Sequence, residues 1–390
     1  MPRQADFSLA SGPTTVSPRA LAAMSSPLPN HYDPAFVETF GAVEQDLATL
    51  FRTREPVVLF QAEALAALEA VARGLVRPGL VALNISTGPY GRAMGPWLES
   101  LGATVHTLET AFDEAVDPAE VERMLEEHPE VELVAVVHHE TPCGVINPID
   151  EIGPIARAHG ALTFADCASS LGGVPLHFDD WQLDVCVGAS QKCLAAPCGL
   201  SPIAVSPAAW AALEQNPAAP RGSFLSLLDW REKRLQNGKF PFAPSVADVV
   251  GLAAACREVV EFGPDAWIDR HERAARAVRA GVRAMGLETF PRDDAYAAAP
   301  VTVVSLPDEV TDTQVRDHIR DRYGVMIQDA IGAGNVVGLG HMGQASAGLY
   351  PVIALVALGY ALADLGADVR VGDGVAAARE SLTEADAARG

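Results

Sequence analysis

The chain has 390 residues, 49% of them apolar, which is enough for two domains with cores of their own. Fifty acids against 28 basic residues leave a formal charge of −22, which excludes nucleic acid and anionic membrane surfaces as partners, because their phosphates would be repelled. Residues 1–9 carry no apolar run of signal-peptide type, and the longest apolar stretch, near 352–362, is too short to span a bilayer, so a cytoplasmic protein without a membrane partner is expected.

Residues 7–17 read as an extended arm with a Gly-Pro turn. Ser17 and Pro18 suit the N-cap and first position of a helix. Phe36, Phe40, Val43, Leu47 and Leu50 recur at helical spacing and predict a helix over 34–52. Strands are then expected at 56–60, 80–85, 103–108, 133–137, 161–164, within 181–187, and at 203–205. Helices are expected at 63–76, within 88–101, at 117–128 and at 150–159. Asp117, Pro118 and Glu120 give the third of these a capping-box start. The alternation implies α/β architecture with a mostly parallel sheet and right-handed crossovers. Ligands of such sheets lie beyond the carboxyl ends of the strands, where the loops at Gly88, Thr141, Asp166 and Lys192 should converge.

After residue 245 the texture changes. Helices are expected at 246–262, 265–285, 312–323 and 351–365, with strands at 301–305 and 325–328. The chain therefore divides into an arm (1–17), a large domain (18–245), and a linker helix with a smaller α+β domain (246–390). Arg270, Arg273, Arg276, Arg279 and Arg283 share one helix face. Glu261, Asp265, Asp269 and Glu272 offset them, so a solvated, salt-bridged face is expected. Residues 380–390, polar and Ala-rich, read as a frayed tail.

The stretch 162–200 carries the chemistry. Asp166 closes an apolar run, and Lys192 sits in a loop of small residues with no other Lys and no Arg in the stretch. A lone amine crowded by apolar side chains loses proton affinity and becomes nucleophilic near neutral pH, which suits a Schiff base. An acid at the end of a strand can keep a pyridine nitrogen protonated, so that the ring draws electrons from the bond being broken. Each residue alone would pass as a helix cap or a loop lysine. Together, with Ser-Gln before the lysine and Ala-Pro-Cys-Gly after it, they indicate a pyridoxal site. His138 and His139 point to opposite sides of a strand and cannot share a metal, and no other Cys/His spacing builds a zinc site, so no metal is expected. The six cysteines form no CxxC pair and read as reduced thiols.

The motifs Ser11-Gly12-Pro13, Tyr32-Asp33-Pro34, Gly88-Pro89-Tyr90-Gly91-Arg92, His138-His139-Glu140-Thr141-Pro142, Asp166, Gln191-Lys192-Cys193, Phe240-Pro241-Phe242-Ala243-Pro244-Ser245 and Gly340-His341-Met342-Gly343 run in order along nearly the whole chain. In these the sequence resembles the class V aminotransferases of fold type I, the alanine–glyoxylate aminotransferase group, and within it the branch that transaminates pyridoxamine with pyruvate. The resemblance implies a homodimer and pyridoxal 5′-phosphate as cofactor. It implies Lys192 as the Schiff-base lysine, Asp166 at the pyridine nitrogen, Tyr90 stacked on the ring and Thr141 touching it. Gln191 and the loop Glu63, Ala64 and Leu65 would face the phosphate, and Gly12, Tyr32, Gly338 and His341 the substrate.

Three departures from the family pattern matter. Glu63 stands where small residues usually cradle phosphate, although the pyridoxamine branch carries a glutamate there and takes the unphosphorylated vitamer. Ala243 replaces a threonine that reaches the neighbouring subunit's phosphate. Phosphate binding is still expected, with Glu63 turned outward. The third departure is Gly338, where the family places the arginine that clamps the substrate carboxylate; Ile331 stands near a second arginine of the pyridoxamine branch. His341 is the one remaining candidate cation, because no Arg or Lys lies between Arg322 and Arg370. An ordinary α-amino or α-keto acid should bind poorly without that fork.

The expected function is an aminotransferase acting on an amine or amino-acid-derived small molecule bound without the clamp. Alternatives are a lyase (C–S β-elimination) or decarboxylating deaminase on a cysteine conjugate in bacterial secondary metabolism, a transaminase of the unphosphorylated vitamer, and a non-catalytic pyridoxal-binding protein.

Overall fold

The computed structural model describes residues 5–387. A seven-stranded sheet forms the larger layer, in the spatial order Val58–Phe60, Ser201–Val205, Val185–Val187, Leu162–Asp166, Leu133–Val137, Val81–Ser86, Thr104–Glu109. Ser201–Val205 runs antiparallel to both neighbours, and the other pairings are parallel. The antiparallel strand follows from its connection: residues 188–200 return by a loop, whereas parallel neighbours need a helical crossover. The strands Leu133–Val137, Val185–Val187 and Ser201–Val205 are buried throughout, as expected of a sheet covered on both faces.

Helices were legible from their caps and periodicity. Ser17 Oγ accepts from Ala20 N, and Pro18 opens the helix Pro18–Met24. Phe36, Phe40, Val43, Leu47 and Leu50 are the buried stripe of Pro34–Phe51. Val246–Phe262 packs on both of these helices, and its Val249, Leu252, Ala255, Cys256 and Val259 join the core of the large sheet. Asp117 caps Pro118–Glu127, but Glu120 does not complete a box: its carboxylate pairs with Arg123 one turn on.

A second core surrounds an antiparallel four-stranded sheet ordered Glu288–Thr289, Val301–Ser305, Val336–Gly340, Gln328–Asp329. One face, with Val304, Val337 and Leu339, packs on the helices Pro264–Ala284 and Tyr350–Asp364. The other face, with Val301, Val303 and Val336, packs against Cys193, beside Lys192. The strand Val336–Gly340 was not anticipated, because two glycines interrupt its apolar pattern. The strand expected at 325–328 splits: Val325–Met326 pairs with Phe7–Ser8 of the arm, and Gln328–Asp329 joins the sheet.

The frayed tail is also corrected. Val371–Ala387 is a helix packed against Pro264–Ala284, and residues 388–390 lie outside the described part. Glycines permit this contact: a Cβ at Gly281 would lie 2.9 Å from Gly374 O. The arginine face is not uniformly solvated. Arg276 and Arg283 are exposed, but Arg279 is buried, and Arg270 stacks 3.6 Å from the Trp267 ring centroid. No helix among the described residues is long and apolar enough to cross a membrane.

Candidate active site

Lys192 lies in the loop that joins Val185–Val187 to Ser201–Val205. Thr14 Oγ1 donates to Lys192 O at 2.9 Å, tying the N-terminal arm to this loop. Lys192 Nζ donates to Ser11 O at 2.8 Å. Gly12 (φ +130°) makes room for the amine, since a Cβ there would lie 2.3 Å from Nζ. Burial lowers the proton affinity of Lys192, and the charge of Asp166 works against it.

Asp166 ends the strand Leu162–Asp166, between Val137 and Val187. Its Oδ1 accepts from Ala168 N at 2.9 Å, so it does cap the following turn while also lining the pocket with Lys192. Burial pushes its carboxyl up to about 6. A protonated ring nitrogen beside it would reverse that penalty by supplying the missing opposite charge.

Tyr90 and Thr141 line the same cavity, which measures about 530 Å³. Thr141 Oγ1 donates to Ser169 Oγ at 2.7 Å. Tyr90 belongs to the first turn of Pro89–Ser100, and the anion at that helix N-terminus is Glu140. Its carboxylate accepts from Tyr90 N at 3.2 Å and Gly91 N at 2.5 Å, and burial raises it to about 7. Gly88 is required here, because a Cβ would lie 2.5 Å from the Glu140 carboxylate. Glu140 went unassigned in the sequence, although a lone acid after a wholly apolar strand was the available signal. His139 is fully buried and neutral: burial lowers it to about 4, Nδ1 lies 3.3 Å from Ser169 O, and Nε2 has no hydrogen-bond partner.

The phosphate end differs from expectation. Glu63 is exposed, but its carboxylate is not free. It is the N-cap of Ala64–Leu75, with Oε2 accepting from Leu65 N at 2.9 Å and Oε1 from Gln191 Nε2 at 3.0 Å. Two of the donors expected to meet a phosphate, Leu65 N and Gln191 Nε2, are thus engaged by the chain's own carboxylate, because a helix N-terminus attracts the nearest anion. The ring end of the pocket fits a pyridoxal ring. The far end, as it stands, does not fit a phosphate dianion.

Two expected substrate contacts lie elsewhere. Tyr32 is 82% exposed, its ring tilted against His31 and its N donating to Asn30 Oδ1, and it lies outside the pocket of its own chain. His341 is buried, its Nε2 lies 3.0 Å from Thr302 Oγ1, and burial lowers it to about 3, so it is not a cation at neutral pH. Gly338 faces the Lys192 loop from the small sheet. A Cβ there would meet Val301 Cγ1 at 3.5 Å and Gln328 O at 3.9 Å, ordinary contacts at a buried position, so a small side chain would fit without strain. All six cysteines are free thiols. Away from the pocket, potential ligand atoms of His106, His128 and Glu130 lie within 4.8 Å of one another.

Fold and site together define a pyridoxal-dependent transferase of fold type I. The model of the aminotransferase class-V family matches residues 29–350. Pyridoxamine–pyruvate transaminase of Mesorhizobium japonicum is 38% identical over 390 residues, covering 99% of each chain. The (S)-ureidoglycine–glyoxylate transaminase of Bacillus subtilis is 30% identical, covering 85% of this chain and 84% of the relative. The crystal structure of pyridoxamine–pyruvate aminotransferase from Mesorhizobium loti superposes with a TM-score of 0.95 at 37% identity, covering 98% of each chain. The chain belongs to the class V aminotransferases, enzymes that work with pyridoxal 5′-phosphate or pyridoxal.

Proposed function

We propose that this aminotransferase moves an amino group to and from the unphosphorylated pyridoxamine–pyridoxal pair, with Lys192 as the reacting amine. The observation that carries this reading is Glu63, lodged on Leu65 N and Gln191 Nε2 where a phosphate would sit. There its carboxylate can accept the hydrogen of a 5′-hydroxyl, which a phosphate ester lacks. The similarity to a pyridoxamine–pyruvate transaminase supports the same substrate.

A bound pyridoxal supplies an electron-withdrawing ring that lowers the cost of moving a proton at the carbon bearing the nitrogen. The chain's residues do the rest. Lys192, held by Ser11 O, has its proton affinity lowered by burial and can carry that proton. Asp166 holds the ring nitrogen protonated. Tyr90, fixed through its backbone by Glu140, covers one face of the ring. Thr141, set by Ser169, meets the ring edge. The reading includes a cytoplasmic homodimer. Exposed apolar side chains support the dimer, among them Leu65 at the pocket and Phe224, which stacks on Phe242.

Absorption spectroscopy tests the reading. A long-wavelength imine band should form with pyridoxal, more tightly than with pyridoxal 5′-phosphate, and vanish in Lys192→Ala. A lysine-dependent band with the phosphate ester alone would refute the vitamer assignment. Release of a keto product with no pyridoxamine formed would replace transamination with elimination or decarboxylation.

A further inference from the structure

The second substrate of an amino transfer is a carbonyl compound, and in this pocket it meets an unusual electrostatic setting. Burial raises the pKa of Tyr90 at the mouth of the ring site most, and Asp166, Glu140, Asp329 and Glu63 each add to the rise. The arginine position is Gly338, and His341 is neutral. Arg270, in range of Cys193, is engaged elsewhere: it stacks on Trp267 and donates to Ser346 Oγ and Gly343 O, both at 2.8 Å. A carboxylate entering beside Lys192 would find acidic groups in its neighbourhood and, among the described residues, no free guanidinium to clamp it.

One polar residue is the cross-strand partner of Gly338. Gln328 is paired with Gly338 across the small sheet, so both project from the same face. Val301, Val303 and Val336 place that face against Cys193, next to Lys192. Ser11 Oγ donates to Gln328 Oε1 at 2.6 Å, and Ser11 O accepts from Lys192 Nζ at 2.8 Å. The amide is therefore fixed in orientation by the same residue that fixes the reacting amine. Its Nε2 makes no hydrogen bond among the described residues and is left as a neutral donor on the strand beside Gly338.

We propose that the amino acceptor is an uncharged aldehyde or ketone oriented by Gln328, and not an α-keto acid. This rests on the reading of Lys192 as the reacting amine. The amino transfer balances with no further reagent. The acceptor's carbonyl carbon gains two electrons as the C4′ carbon of pyridoxamine loses two, and one water leaves while another is consumed. A single neutral donor suits an acceptor carrying an amide, hydroxyl or second carbonyl next to the reacting carbon, since it can satisfy one lone pair but cannot neutralise a charge.

Pyruvamide and pyruvate form a matched pair that differs in charge at nearly constant shape. With pyridoxamine as donor, kcat/KM for pyruvamide should exceed that for pyruvate at least tenfold. Gln328→Ala should lower the pyruvamide value at least fivefold with pyridoxal affinity, read from the imine band, unchanged. Gly338→Arg should reverse the preference. Calorimetry with the unreactive pair lactamide and lactate supplies a readout apart from turnover: lactamide should bind the unmodified chain more tightly, and lactate should gain in Gly338→Arg. Equal or faster turnover of pyruvate by the unmodified chain, with its lysine-dependent pyridoxal band intact, overturns the proposal and leaves the vitamer reading standing. Absence of that band overturns the vitamer reading itself.

Discussion

Glu63 Oε1 lies 3.0 Å from Gln191 Nε2, the residue immediately before the reactive lysine. This bond joins the N-terminus of one helix to the lysine loop through a carboxylate, in a place where the family's cofactor would bring its own anion. A phosphate could enter only by displacing Glu63 or lying beside it, where the two like charges would repel each other, screened in part by solvent because Glu63 is exposed. Glu63→Ser should therefore shift preference towards pyridoxal 5′-phosphate. We expect the ratio of pyridoxal to phosphate-ester affinities to fall by about tenfold to a hundredfold, roughly 1.4–2.8 kcal/mol. Parallel titrations of the imine band measure it. An unchanged ratio would show that the carboxylate does not guard the site.

The Glu140 carboxylate carries a pH dependence whose sign follows from burial. Desolvation, largest among its influences, lifts it from 4.5 to about 7 against the pull of Gly91 N and Tyr90 N, and Asp166 adds to the rise. The folded state thus favours the protonated form. Its contribution to stability is full below the unfolded value and is lost as pH climbs through the folded one. At 1.36 kcal/mol per unit, the loss between pH 4.5 and 8 is on the order of 3 kcal/mol. Asp166, raised to about 6, acts in the same direction. Urea unfolding of Glu140→Gln at pH 5 and pH 8 should show a markedly smaller fall in stability than the unmodified chain, with the Asp166 part remaining. Matching falls in the two proteins would assign the effect to other groups.

Asp166 and Lys192, which line one pocket, were legible because they break their surroundings: an acid ending an apolar run and a lysine in a loop of small residues. Caps and apolar periodicity located most helices and the parallel strands. What escaped depended on distant partners. The bond that engages Glu63 comes from Gln191, which lies 128 residues away. Glu140 became an internal counter-anion because the turn at Gly88 brings a helix N-terminus onto it, and no local pattern announces that. Val336–Gly340 is held as a strand by Val301–Ser305, with Gly338 and Gly340 contributing no side chain to a periodic signal. His341 looked like a cation by elimination, and complete burial made it neutral.

Asn147 links three segments that frame the pocket. Its Nδ2 donates to Thr87 Oγ1 at 2.7 Å and Val137 O at 2.8 Å, and its Oδ1 accepts from Val116 N at 3.1 Å. Asn147→Ala would take this partner from one buried donor, Val116 N, and from two acceptors, Thr87 Oγ1 and Val137 O, and each group left unsatisfied costs about 1–3 kcal/mol. We expect about 2–4 kcal/mol of lost stability at constant m-value, read by urea unfolding. Thr87 precedes the Gly88 turn, so pyridoxal affinity should fall as well. A loss below about 0.5 kcal/mol, the size typical of surface changes, would mean that water takes over all three bonds.

Gly12 separates the needs of the fold from those of the amine. Its φ of +130° disfavours any side chain, and a Cβ would lie 2.3 Å from Lys192 Nζ and 2.4 Å from Cδ. The lysine is the more flexible partner, held at its tip only by Ser11 O. In Gly12→Ala the backbone strain should cost about 1–3 kcal/mol, while the displaced amine loses both its hydrogen bond and its aim at the ring. Binding should therefore suffer beyond what the stability change explains: the lysine-dependent pyridoxal band should weaken at least tenfold at a temperature where the variant remains folded by circular dichroism. If the band keeps its strength while the melting temperature drops, the arm matters for folding alone, and Lys192 finds its working position without Gly12.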